Sequence, residues 1–459
     1  MLVRGIDAVN FAAAKKNVNK KQPGVSNGVY SQNVEKQKYA QIPFGALIHY
    51  SYVIPKNEKF LESSYEDKAK QVQAQLVAEA QNDSSWINLP AKLLQDGSVD
   101  RVYESIGDFK KAIPGKKHLI FVALGNPANA DEAAKALGLG DNVTYCCAVR
   151  EGNIKHAIQK AGGNLEQIQV MISSKSGTTF ESNATYQLLQ KQFEEYYKSE
   201  GKTGEDLKEA VAKHFLCLTD KNPSAKLKKE AIERGYKTID CVDNLASGFG
   251  DLAYDLPLLA YAGLSKKDAV KMLEAARDIT KEVLTNAPDN NLAARIAMFD
   301  KAARDNGATK EQFIFHDSEV DLSNTIAQLY RESLRKVNLE LNTYPRSAHS
   351  GLQSAIDTEL NGQSVNIITN VIPVGADKTQ EAERLENAHI QNAGSEGHWQ
   401  KTLGFELSED GSGIKPEVLG EFLMLKSFIA YFKNQLEGTN HNMEKIDYVG
   451  QYKKIFQGG

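Results

Sequence analysis

Apolar positions fall into two alternating rhythms along most of the chain. Apolar runs of strand length occur at 118–124 (HLIFVAL), 143–149 (VTYCCAV), 168–173 (IQVMIS) and 214–219 (HFLCLT), with a shorter one at 237–242 (KTIDCV). Between them lie stretches with helical spacing, among them 180–197 and 205–213. Buried strands joined by helices predict a mostly parallel sheet covered on both faces. A Gly-containing apolar segment at 244–264 leads into a helical stretch at 265–306. The alternation then resumes with a strand at 312–316, a long helix near 320–338 and a strand at 364–370. The stretch 416–437 predicts one amphipathic helix that buries Val418, Leu419, Phe422, Leu423, Leu425, Phe428 and Ile429. Ahead of these elements, residues 1 to about 60 are polar and rich in Asn and Lys, which reads as arm and loop. Residues 64–82 read as an exposed helix and Trp86–Pro90 as an extended segment. The expected fold class is α/β, with two three-layer α/β/α sandwiches of mostly parallel sheets and a C-terminal helical tail. The expected divisions are 1–85, 86–264, 265–415 and 416–459.

The chain has 459 residues, 41% hydrophobic and 25% charged, with a formal net charge of −4. That balance excludes wholesale disorder, collagen and coiled coil, and it argues against a nucleic-acid partner, which calls for a basic excess. Cys146, Cys147, Cys217 and Cys241 form no CxxC pair, so buried free thiols in a reducing cytosol are expected. No targeting segment and no apolar stretch of membrane-spanning length is visible, so the expectation is a cytoplasmic protein with no membrane partner. The nine histidines show no metal-ligand spacing, and neither a metal nor a cofactor is expected.

Residues 171–182 read Met-Ile-Ser-Ser-Lys-Ser-Gly-Thr-Thr-Phe-Glu-Ser. The segment starts in an apolar strand and ends in a helical pattern. Hydroxyls, a lysine and a flexible glycine at such a junction suit an anion, which the first N–H groups and dipole of the helix attract. Thr178 with Glu181 also fits a capping box, so plain capping is the alternative. The loop is neither GxGxxG nor GxxxxGK[ST], so a dinucleotide or nucleoside triphosphate is not indicated.

Three further segments carry chemistry-bearing side chains. On the helix at 321–338, Leu322, Ile326, Leu329, Ser333 and Val337 share one face, and Gln328, Glu332 and Lys336 form a neighbouring i, i+4 stripe. Alone, that stripe also reads as a solvated Glu–Lys pair. Residues 344–353 read Tyr-Pro-Arg-Ser-Ala-His-Ser-Gly-Leu-Gln, and 449–454 read Val-Gly-Gln-Tyr-Lys-Lys. Asp251 and Asp255, one helical turn apart, read either as a solvated face or as contacts to the hydroxyls of a ligand.

Ser174-Lys175-Ser176-Gly177-Thr178-Thr179 resembles the sugar-phosphate loop of glucose-6-phosphate isomerases, members of the sugar isomerase (SIS) superfamily. Gln328-Leu329-x-x-Glu332-Ser333-x-x-Lys336 is similar to that family's Gln-Leu-x-x-Glu-Ser-x-Gly-Lys segment, with Arg335 in place of the glycine. His349-Ser350-x-x-Gln353 resembles its His-Ser-x-x-Gln element, and the segment around Lys453 resembles its C-terminal Val-Glu-x-x-Lys element, without the Asp-Gln-Pro that precedes it. The resemblance implies two SIS-type domains and no cofactor. It implies that Ser174, Ser176, Thr178 and Thr179, with Lys175 in the same loop, hold a 6-phosphate. Glu332 would be the base that moves a proton between carbons 2 and 1, Gln328 would position the sugar, and His349 and Lys453 would serve ring opening. In the family the histidine comes from a partner subunit, which implies a homodimer.

Two family elements are altered. Its Gly-Ile-Gly-Gly-Ser segment is Ala123-Leu124-Gly125-Asn126-Pro127 here, leaving Gly125 as a candidate contact. Its Gly-Gly-Arg arginine falls on Ser247 or Gly248, neither of which carries a cation. Arg346 or Arg335 is then the candidate replacement. Three activities follow from the resemblance: isomerisation of glucose 6-phosphate to fructose 6-phosphate, isomerisation of a 6-sulfo-hexose such as sulfoquinovose to 6-deoxy-6-sulfofructose, or sugar-phosphate binding with weak turnover.

Overall fold

The computed structural model describes residues 47–55, 58–124, 126–147, 149–174, 180–241, 249–315, 322–333, 340–344, 366–374 and 398–438. Its strands are β1 (Ile48–Val53), β2 (His118–Ala123), β3 (Val143–Tyr145), β4 (Ile168–Ser173), β5 (Phe215–Thr219), β6 (Lys237–Asp240), β7 (Lys310–Phe315), β8 (Glu340–Tyr344), β9 (Asn366–Val374) and β10 (Trp399–Glu406). Its helices are α1 (Ser63–Glu79), α2 (Leu89–Gln95), α3 (Ser98–Lys111), α4 (Ala130–Ala136), α5 (Glu151–Lys160), α6 (Phe180–Ser199) and α7 (Gly204–Ala212), followed by α8 (Lys226–Arg234), α9 (Asp251–Ala262), α10 (Lys266–Thr285), α11 (Leu292–Asp305), α12 (Ser323–Ser333) and α13 (Pro416–Leu436).

The strands form two five-stranded sheets. One has the order β3-β2-β4-β5-β6 and is parallel throughout. The other has the order β1-β10-β9-β7-β8 and is parallel except for β1, which runs antiparallel along β10. Both sheets are wound alike. After the first strand (β2 or β7) the chain adds the next strand on one side, then crosses to the other side for those that follow.

Side-chain alternation decides which layer each strand feeds. Leu119, Phe121 and Ala123 of β2 point into a core shared with α9, α10 and α13, while Ile120 and Val122 join a second core with residues of α5, α6 and α8. A strand that must satisfy both layers needs apolar residues on both faces, hence the apolar runs.

Helix α13 spans the predicted stretch and buries every residue of the predicted stripe, but it is not amphipathic. Glu421, Lys426, Ser427, Lys433 and Asn434 are buried as well. It lies against α10 so closely that a Cβ at Gly420 would collide with the Met272 carbonyl, so only glycine fits.

Two other expectations are corrected, and one strand was not expected. Residues 48–53, read as arm and loop, form the edge strand β1. The segment Trp86–Asn88, read as extended, is a short 3-10 turn in which Ser85 Oγ accepts the Ile87 N–H, and α2 follows with Pro90 in its first turn, where no N–H is missed. The central strand β10 went unread because Gln400, Lys401 and Thr402 interrupt its apolar run, yet all three are buried. The Lys401 ammonium meets Asp300 and Glu311, so its charge enters the core already paired. Among the described residues no helix is long and apolar enough to cross a membrane.

Candidate functional site

β2 and β4 are parallel neighbours with Ala123 opposite Ser173, so their carboxyl ends finish side by side. From here the chain leaves β2 toward β3 on one side and β4 toward β5 on the other. Where the strand order reverses in this way the connecting segments diverge and leave a crevice at the carboxyl edge. After β2 come the 3-10 turn Asn126–Asn129 and then α4. After β4 comes Ser174, which is buried and donates its N–H to the Leu218 carbonyl at 3.0 Å, carrying the β4–β5 ladder one residue further. Residues 175–179 then bridge to α6, which begins at Phe180. At the end of β4 the Ser173 hydroxyl is buried with no hydrogen-bond partner among the described residues.

Helix α12 belongs to the other sheet, and its first turns dock at this edge. Asn129 Nδ2 donates to Gln328 Oε1 at 3.4 Å. The Glu132 carboxylate, on α4, caps the first turn of α12. Its Oε1 accepts the Asn324 N–H at 3.3 Å and the Asn324 side-chain amide, and its Oε2 accepts the Thr325 N–H at 3.1 Å and the Thr325 hydroxyl at 3.2 Å. A negative charge there satisfies orphan N–H groups and complements the helix dipole. From the far side Lys426 of α13 donates to the Thr325 carbonyl at 3.4 Å and pairs with Asp251 of α9. Leu322, Ile326 and Leu329 are buried, as the helical spacing required. Gln328 is partly buried, and the backbone of Glu332 follows one turn later, in the last turn of α12.

The Glu132 contact makes a direct prediction. Glu132→Ala leaves two N-terminal N–H groups of α12 without an acceptor and is expected to cost about 1–2 kcal/mol of stability in urea denaturation. Glu132→Gln keeps an acceptor oxygen and should lose less than half of that.

The acid pair at the start of α9 is not a solvated face. Asp251 and Asp255 are both buried, and neither Asp255 oxygen has a hydrogen-bond partner among the described residues. Burial, and then the Asp251 charge, push the Asp255 carboxyl well above the usual carboxylate range, against the pull of Lys426.

Of the residues singled out by sequence, Ser174 and Gln328 come to the same edge, at the ends of β4 and β2. Gly125, Lys175, Ser176, Thr178, Thr179, Ser247, Gly248, Arg346, His349 and Lys453 lie outside the described residues. Sequence reasoning missed Asn129, Glu132 and Lys426. Glu132 reads as an ordinary first-turn acid of α4, and its partners Asn324 and Thr325 lie nearly two hundred residues away, beyond any local spacing signal.

No family model matches the chain. A stretch of 186 residues is 28% identical to a glucose-6-phosphate isomerase of Staphylococcus saprophyticus, covering 40% of this chain and 39% of that one. A stretch of 170 residues is 28% identical to a glucose-6-phosphate isomerase of Heliobacterium modesticaldum, covering 37% and 35%. The chain thus spans under two fifths of the length of the curated relatives it matches. The fold is matched more widely. A crystal structure of a glucose-6-phosphate isomerase from Chlamydia trachomatis aligns over 90% of this chain and 88% of that chain, with a TM-score of 0.70 and 13% identity. A hypothetical protein from Thermus thermophilus aligns over 89% and 99%, with a TM-score of 0.67 and 17% identity. Identities this low establish a shared fold and leave chemistry to the site. The chain is thus similar to glucose-6-phosphate isomerases over part of its sequence, and it shares the α/β fold of one of them over nine tenths of its length.

Proposed function

We propose that the chain isomerises an aldose to a ketose, acting on a hexose with an anionic group at carbon 6, with glucose 6-phosphate and fructose 6-phosphate as the first pair. One observation carries the reading. The Asn129–Gln328 contact and the Glu132 cap bring α12 to the crevice at the carboxyl ends of β2 and β4. A sugar held by its anion at the loop after β4 then extends toward α12, whose last turn carries Glu332.

Glu332 takes the proton from carbon 2. The C–H electrons form the C1–C2 double bond, and the carbonyl oxygen at carbon 1 takes up the negative charge. The same carboxyl returns the proton to carbon 1, the hydroxyl proton on carbon 2 passes to the oxygen on carbon 1, and the ketone forms at carbon 2. One carboxylate suffices, because the proton leaves and returns on adjacent carbons, and no oxidant enters the balance. Gln328 orients the chain of hydroxyls. His349 and Lys453 open the ring, His349 being given by a second copy of the chain in a homodimer. Ser174, Lys175, Ser176, Thr178 and Thr179 hold the anion, and Gly125 lets the backbone after β2 approach the sugar. With Ser247 or Gly248 where the family has arginine, Arg346 supplies the cation that faces the enediolate.

A 6-sulfo-hexose is the second reading. Its support is the pair Arg335 and Arg346 in segments that otherwise follow the family, since a guanidinium matches a sulfonate well. Incubation with glucose 6-phosphate and with 6-deoxy-6-sulfoglucose in deuterated water separates the two. Exchange at carbon 2 of the phosphate alone supports the first reading, and exchange of the sulfonate alone supports the second. Binding of either sugar without exchange refutes isomerase activity and leaves a sugar-binding protein.

A further inference from the structure

Helices α10 and α13 and the start of β1 line a cavity of about 280 Å³, remote in sequence from every residue of the proposed active site. Its wall is acidic. Helix α10 contributes Glu274, Asp278 and Glu282, and α13 contributes Glu417 and Glu421. Lys271 is the one basic residue among the described lining, held by Asp268 at 3.1 Å and Glu417 at 3.6 Å, and the adjacent Arg277 pairs with Asp278 at 2.9 Å on the exposed face of α10, a pair that a bound ammonium must displace.

Glu421 sets this cavity apart from a solvated acidic surface. The residue is 3% exposed. Its Oε2 accepts the Leu47 N–H at 2.8 Å, whereas its buried Oε1 has no hydrogen-bond partner among the described residues. An unmet carboxylate oxygen in a wall of like charge is costly until a cation meets it.

The layout also defines the cation. Glu274, Asp278 and Glu282 recur every four residues along α10, so successive acids are about 6 Å apart and the outer pair about 12 Å apart along the helix axis. No three acidic, histidine or cysteine side chains among the described residues are grouped closely enough to hold a metal ion. A spread row of charges along one wall of a cavity suits ammonium groups separated by a few methylenes. We propose that this cavity binds an aliphatic polyamine, with its ammonium groups along the α10 row and one of them donating to Glu421 Oε1.

Binding should be linked to protons. Burial first, and then Glu282 and Glu406, push the Glu421 carboxyl up to about 7, against the pull of the Leu47 and Ile48 N–H groups. Glu282 is itself raised by burial and by Asp278. Glu406 of β10 is held down, first by its hydrogen bond from Lys415, with His49 assisting. Only the ionised Glu421 pairs with an ammonium, so a polyamine binding below pH 7 displaces a proton from it, and affinity rises as the pH passes through 7.

Isothermal titration of the full chain with spermidine at physiological ionic strength, at pH 6 and pH 8 and in buffers of different ionisation enthalpy, tests this. The expected result is saturable binding with one site, tighter at pH 8, with proton release at pH 6. Glu421→Gln keeps an acceptor for the Leu47 N–H, and it should weaken binding by about tenfold or more and abolish the proton release. Asp278→Asn, on the outer face of α10, should weaken binding severalfold without touching the buried group. Absence of saturable binding overturns the proposal. So does an unchanged affinity in Glu421→Gln, or displacement of spermidine by magnesium at equal charge concentration. Sugar isomerisation plays no part in the readout, so a failed isomerase assay leaves this result unaffected.

Discussion

Replacing Glu332 by glutamine is expected to lower deuterium exchange at carbon 2 of the accepted hexose by about 10²–10⁴, the range a positioned general base supplies. Glutamine keeps the size and hydrogen-bonding shape of the side chain and loses only the ability to take a proton. The helix that presents it should not move, because α12 is fixed by its opposite end. Four donors of Asn324 and Thr325 converge on Glu132, and Gln328 meets Asn129, all within the first two turns. The loss should therefore fall on kcat, with KM little changed, as for an interaction made only in the transition state. Rapid-quench exchange assays together with direct titration of the sugar separate the two. Exchange within tenfold of the native rate would remove Glu332 as the base. A parallel rise in KM would instead mean that α12 had shifted, and Glu132→Gln would then reproduce it.

The elements legible from sequence share one physical property, and those that were missed lack it. β2, β4 and β5 are covered on both faces, so most of their positions are apolar and each strand announced itself, the buried Gln169 of β4 being matched by the Phe109 carbonyl and the Tyr261 hydroxyl. β10 is equally central, but Lys401 sits in the middle of it, neutralised by Asp300 and Glu311 from distant parts of the chain. Local pattern cannot anticipate a charge whose partners lie about a hundred residues away. β1 is a half-covered edge strand, and its short IHYSYV run carried too little signal to separate it from the polar lead-in. For α13 the length was legible and the environment was not, because Glu421, Lys426 and Lys433 looked like the polar face of a surface helix. The same division holds at the crevice. The chemistry proposed for 174–179 and 328–332 was read from residue types in the sequence, while the docking of α12 on α4 rests on a pairing visible only in three dimensions.

The largest expected effect on stability lies in the buried charge cluster behind β7 and β10. Asp300, Glu311, Lys401 and Lys433 are all 2% exposed or less in their side chains. Lys433 pairs with Glu311 and with Asp300 at 2.8 Å, Lys401 pairs with Asp300 and with Glu311 at 2.9 Å, and the Lys433 ammonium stands 4.7 Å above the Tyr330 ring of α12. Two acids and two bases balance, which is why the cluster is tolerable in a core. Lys433→Met keeps the bulk and removes one cation, leaving two buried carboxylates to share Lys401. Such an uncompensated charge costs about 3–5 kcal/mol, a large part of the roughly 5–15 kcal/mol that holds a domain folded. The pH dependence identifies the cause. In the native protein burial would raise the Glu311 carboxyl, but Lys401 and Lys433 overcome it and hold it at about 2. Its folded value lies below the unfolded one near 4.3, so this stabilisation is present above that pH and is lost as pH falls toward 2. In Lys433→Met the missing cation lets one carboxyl keep its proton, its folded value rises above the unfolded one, and stability falls as pH rises. Urea titrations should therefore show a gap between native and variant that is widest near pH 7 and narrows toward pH 4. The double variant Lys433→Met with Glu311→Gln restores the balance of charge and should recover part of the loss. A gap below about 1 kcal/mol at pH 7, or one that does not change with pH, would mean that the four groups do not act as the buried pairs drawn here.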